Sequence, residues 1–169
     1  MIVKQEFIQR GNLARPGILL SNPTSITIHW IGPYPNQVPA DVIKWWTRAD
    51  LQPAQAASAH YIIKDELCVQ CIPEGEVAWH CGCKGNYTSI GIEVIPVNKI
   101  GEFSADTIAT LQQLLKHLPQ VELKRHYDWT GKDCPRYYTN VTDLFTDRQP
   151  NPPGGDERWT ELVKELRNG

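Results

Sequence analysis

Between Ser25 and Ile31 the chain alternates apolar Ile26, Ile28 and Trp30 with Thr27 and His29, the period of a strand buried on one face. Gly32-Pro33-Tyr34-Pro35 follows and breaks the run. An imidazole is thereby carried to the rim of a sheet, where loops leave it. Two more β-rich runs, His60–Lys64 and Leu67–Ile72, flank the polar pair Asp65-Glu66 and predict a hairpin. A further run, Ser89–Ile95, puts Ile90, Ile92 and Val94 on one face and Gly91 and Glu93 on the other. The Glu93 carboxylate therefore points away from the apolar stripe, and Gly91 beside it predicts open room for substrate or water.

Helical spacing fills the gaps between these runs. Val42, Trp45 and Trp46 share a face of a short helix whose first turn suits Pro39 and Asp41, and both tryptophans are expected against the sheet. Ser104 is placed to cap a helix bearing Ile108, Leu111, Leu114, Leu115 and Leu118, which Pro119 ends. Val121–His126 reads as another short strand, with a polar, glycine-containing loop after it and a helix over Tyr138–Phe145. Residues 1–146 make one catalytic-sized unit, 147–155 a Pro/Gly-rich linker, and 156–169 a final helix with Trp159, Leu162, Val163 and Leu166 on one side.

Composition narrows the function. A chain of 169 residues suits one domain, and no apolar run approaches the roughly 20 residues that span a bilayer. A formal net charge of -2 gives no broad basic field, which argues against nucleic acid as a partner. The first residues carry no export signal, so synthesis in the cytoplasm is expected. Five cysteines cannot all pair within one chain, and reduced thiols, some of them metal-bound, are the default.

Thiolate plus imidazole is a donor set suited to zinc, and three protein ligands with a fourth position open mark a catalytic site. His29, His126 and Cys134 supply that set: the last two lie eight positions apart, and His29 must come from a neighbouring strand. A lone histidine at a strand end is more often packed or solvated, and spacing alone does not decide. Cys68/Cys71 and His80-Cys81-Gly82-Cys83 leave a second metal open beside small core residues or a redox-labile pair. An odd separation on one strand would send Cys68 and Cys71 to opposite faces.

Five segments decide the matter together: Thr27-Ile-His29-Trp, Ser58-Ala-His-Tyr-Ile-Ile, Val77-Ala-Trp-His80, Ser89-Ile-Gly-Ile-Glu93 and Arg125-His126-Tyr-Asp-Trp-Thr-Gly-Lys132-Asp-Cys134-Pro. In this order they resemble the type 2 N-acetylmuramoyl-L-alanine amidases, a family that includes phage endolysins and is similar to animal peptidoglycan recognition proteins. The resemblance implies an α/β domain with a mixed central β-sheet flanked by helices and one zinc ion in a groove. It implies His29, His126 and Cys134 as the metal ligands, Glu93 as general base and His80 as a substrate contact. Lys132, two residues before the cysteine, is placed to set an ammonium against the developing oxyanion. A phage branch uses a tyrosine where this chain has Ala59, so the glutamate branch is the template.

The expected activity is hydrolysis of the amide between N-acetylmuramic acid and L-alanine in peptidoglycan, by a monomer acting on cell wall after phage lysis. Two alternatives are a non-catalytic peptidoglycan-binding module and a cytoplasmic amidase that recycles muropeptides. Members of the wider fold that only bind lack the cysteine ligand, which this chain retains.

Overall fold

Residues 1–145 are described by a computed structural model. The expected linker and terminal helix lie outside the described residues. The alternating run becomes strand β2 (Ser25–Trp30), and Ser89–Val94 becomes β5. The hairpin is β3 (Tyr61–Lys64) against β4 (Leu67–Gln70), antiparallel, with Asp65 at φ 50 in its turn. β6 (Glu122–Arg125) follows the long helix. An additional strand, β1 (Ile2–Gln5), pairs in parallel with β4. All its residues are exposed, so it has no apolar alternation by which to read it.

The six strands lie in the order β1-β4-β3-β5-β2-β6. Only the hairpin pair is antiparallel; β3, β5, β2 and β6 run the same way. β2 is buried throughout, as a central strand covered on both faces must be.

Helix α2 (Ala105–His117) covers one face, its Ser104 hydroxyl accepting from the Thr107 N–H as expected of a cap. Beneath it Leu111, Leu114 and Leu115 join Ile26, Ile28, Ile90 and Ile92 in one core cluster. Helix α1 (Pro39–Trp46) covers the other face, with Val42 and Trp46 against Ile62, Val69 and Ile95. Cys68 lies in the α2-side cluster and Cys71 in the α1-side cluster, as the odd separation requires.

Two expectations need correcting. Trp46 packs on the sheet, but Trp45 is 54% exposed, with the Arg48 guanidinium stacked over its ring. Adjacent helical positions differ by about 100°, so a short helix buries one of the pair and turns the other outward. The helix expected over Tyr138–Phe145 is only a 3-10 turn at Val141–Phe145. Tyr138 instead stacks on Phe103, and its hydroxyl accepts from the Phe103 N–H, a tertiary contact that competes with helix formation.

Candidate metal centre and catalytic groove

Parallel strands place their carboxyl ends along one edge of a sheet, and there loops can converge. His29 is the penultimate residue of β2, Glu93 the penultimate residue of β5, and His126 directly follows β6. The β2–β5 register pairs His29 with Glu93, so the two side chains share a face. Cys134 is returned by the loop after His126. One helical turn, α3 (Tyr127–Thr130), ends at Gly131, whose φ of 73 is left-handed and easy only for glycine. The Tyr127 N–H then donates to the Cys134 carbonyl at 3.0 Å, closing the loop.

His29, His126 and Cys134 are all buried, and their candidate ligand atoms lie within 4.8 Å of one another. The His29 Nδ1 is 3.1 Å from the His126 Nδ1 and 3.8 Å from the Cys134 Sγ. Among the described residues no other group of three or more His, Cys, Asp or Glu residues gathers in this way. Three soft and borderline donors with atoms turned on a common point fit a zinc ion. Burial holds both imidazoles neutral, as ligation requires: His29 is driven well below its ordinary value and His126 down to about 4. Nearby positive charge acts in the same direction, Lys132 on both rings. Burial pushes the Cys134 thiol up to about 12, a protonated state in the absence of a cation.

Glu93 lies beside this cluster. Burial raises its carboxyl to about 7, against the opposing pull of Lys132. Its Oε2 atom is buried and accepts no hydrogen bond among the described residues. A cavity of about 550 Å³ opens over it, lined among others by Trp30, Tyr34, Trp46, His80, Glu93 and Lys132. A larger and more open depression of about 1100 Å³ lies across Trp79, but none of His29, Glu93, His126 and Cys134 lines it. The smaller cavity is therefore the one adjoining the chemistry.

The room expected above Gly91 is taken. A Cβ at Gly91 would lie 2.4 Å from the His80 Cγ, so the glycine admits the His80 ring, not substrate or water. His80 touches the cavity but its ring nitrogens face protein: Nδ1 is 2.9 Å from the His29 Nε2 and Nε2 is 3.2 Å from the Ser89 carbonyl. His60, in the same segment pattern, is a satisfied core histidine, bonded to the Glu76 carbonyl and the Gly91 N–H. Sequence reading passed over Asn86, whose Oδ1 accepts from the His80 and Cys81 N–H groups. It also passed over Thr27, which accepts from the Trp129 indole and bonds Ser89. The available signal was polar residues on a face otherwise buried. Cys81 and Cys83 are free thiols with sulfurs 2.7 Å apart, and neither belongs to a metal-binding group among the described residues.

The sequence model of the N-acetylmuramoyl-L-alanine amidase family matches residues 20–137, which include every residue of the cluster. The chain belongs to the N-acetylmuramoyl-L-alanine amidase family. Among family members, it is 31% identical over 143 residues to the N-acetylmuramoyl-L-alanine amidase CwlH of Bacillus subtilis (strain 168), covering 79% of this chain and 55% of that protein. It is 33% identical over 150 residues to XlyA of the same organism, covering 83% of this chain and 48% of XlyA. The chain thus spans about half the length of these curated relatives. Its fold matches the solved catalytic domain of XlyA with a TM-score of 0.69 and 30% identity, over 86% of this chain and 97% of that domain. The structure of PlyL matches in fold, with a TM-score of 0.65 at 19% identity, over 98% of this chain and 96% of the other. Among the described residues no helix is long and apolar enough to cross a membrane.

Proposed function

We propose that this domain is a zinc-dependent hydrolase of the amide between the lactyl group of N-acetylmuramic acid and L-alanine in bacterial peptidoglycan, of endolysin type. The observation that carries the reading is the convergence of His29, His126 and Cys134 beside a buried Glu93 carboxylate oxygen that has no hydrogen-bond partner among the described residues. Family membership and the curated relatives named as amidases support the substrate class. A matched solved structure described as a mutant endolysin from Bacillus subtilis supports the endolysin assignment.

The His29 and His126 Nδ1 atoms and the Cys134 Sγ would hold the ion. When bound, zinc supplies Lewis acidity, which acidifies water toward a pKa of roughly 7 and polarises an amide carbonyl. Glu93, with a carboxyl near neutrality, takes the proton of the attacking water on its free Oε2 and passes it to the departing L-alanine nitrogen. Lys132 lines the same cavity and sets its ammonium toward the oxyanion that develops on the attacked carbonyl. Trp30, Trp46 and Tyr34 shape the walls and exclude water from the reacting amide.

The test is digestion of purified peptidoglycan with and without a chelator. New N-terminal alanine is expected, lost on metal removal and restored by zinc; new reducing sugar ends instead would overturn the reading. Intact sacculi should be cut at least as readily as soluble anhydromuropeptides, and a preference for the latter would replace the endolysin role with wall recycling.

A further inference from the structure

The His80 ring occupies an unusual place: it stands over Gly91, where any side chain would collide with it, and bridges a strand carbonyl to a candidate metal ligand. We propose that His80 is a positioning residue that fixes the tautomer of His29, presenting a bare Nδ1 to the metal through a one-way hydrogen-bond relay from the Ser89 carbonyl. This inference rests on the metal reading of His29, His126 and Cys134.

The direction of the relay follows from donor and acceptor chemistry. A backbone carbonyl only accepts, so the His80 Nε2, 3.2 Å from the Ser89 oxygen, carries the hydrogen. A buried imidazole with no carboxylate partner stays neutral, which leaves the His80 Nδ1 bare. That atom lies 2.9 Å from the His29 Nε2 and can only accept from it. The His29 hydrogen is thereby held on Nε2, and its Nδ1 lone pair faces the His126 Nδ1 and the Cys134 Sγ. Without the relay either tautomer of His29 is available, and the Nδ1–H form has no lone pair on the nitrogen that faces the His126 Nδ1 and the Cys134 Sγ.

The relay is itself held. The Asn86 Oδ1 accepts from the His80 N–H at 3.0 Å and from the Cys81 N–H at 2.9 Å, which pins the backbone from which the ring projects. His80 thus acts through His29. Groups that orient a metal-bound imidazole typically change metal affinity about 10- to 100-fold when removed.

Two measurements test this. The first is zinc affinity, by competition with a chromophoric chelator, in folded His80→Leu and His80→Asn. Leucine keeps apolar bulk but cannot accept, whereas asparagine keeps an acceptor at the position of Nδ1. His80→Leu is expected to weaken zinc binding about 10- to 100-fold, and His80→Asn to recover most of the loss. Equal affinity in His80→Leu and wild type, or tighter binding by leucine than by asparagine, would overturn the relay. The second needs no variant: long-range proton–nitrogen correlation spectra of metal-free wild-type protein should show Nε2–H tautomers at both His80 and His29. An Nδ1–H form at either residue would overturn it. Absence of zinc binding by wild type would instead fail the metal reading, and the spectra would still decide the relay.

Discussion

His29 and Glu93 are register partners across the β2–β5 pair, side by side on one face of the sheet near the ends of their strands. A candidate metal ligand and a carboxylate are thus held by two buried, hydrogen-bonded strands and not by loops, which gives the pair a precise separation. Glu93→Gln keeps shape and burial but cannot take a proton. The expected result is zinc content equal to wild type by metal analysis and kcat lower by about 10²- to 10⁴-fold. Unchanged turnover would reject Glu93 as the base.

The same carboxyl predicts a stability difference in metal-free protein. Its ordinary value is 4.5 and burial raises it to about 7 in the fold. Between those values the unfolded chain has lost a proton that the folded chain keeps, so this group's contribution falls as pH rises through the window and then levels off. At 1.36 kcal/mol per unit the full loss is on the order of 3 kcal/mol. Glu93→Gln removes it. Chemical denaturation should find the metal-free variant more stable than wild type at about pH 8 and nearly equal at about pH 4. A gap independent of pH would contradict the assignment.

Lys132 places positive charge against His29, His126 and Glu93. Lys132→Met preserves most of the side-chain stem and deletes the charge. If the ammonium meets the developing oxyanion, kcat should fall about 10²-fold or more while KM changes little. A rise in KM at constant kcat would instead make Lys132 a ground-state binding group.

Gly91 tests the packing beneath His80. An alanine Cβ there would lie 2.4 Å from the His80 Cγ and 2.7 Å from its Cδ2. Overpacking of this kind costs about 1–3 kcal/mol, and Gly91→Ala should lower the urea midpoint accordingly. Gly75→Ala is the control, since no atom lies within 4 Å of a Cβ built at that position. Equal midpoints for Gly91→Ala and the control would mean that the ring is free to move aside.

Much of the sheet was legible because its strands are short, apolar and correctly phased. The alternation in Ser25–Ile31 and Ser89–Ile95 assigned His29 and Glu93 to the face opposite the α2-side core, as found. β1 was not legible, since its residues are exposed on an edge and nothing selects an apolar face. Trp45 misled because bulk alone does not reveal which of two neighbouring helical side chains meets the sheet. Gly91 misled for a related reason: a missing side chain signals close approach, but the approaching group was His80, eleven positions earlier in the chain.

By itself the sequence determined which residues could donate to a metal, which side of each strand they occupy, and which family's motif order they follow. Only the tertiary structure decided that β2 lies between β5 and β6, that three strand ends meet, and that a histidine fills the space over a glycine. Periodicity is a local property of a few consecutive residues. Strand order is settled by packing and loop closure across the 97 positions that separate His29 from His126, a separation no local pattern spans.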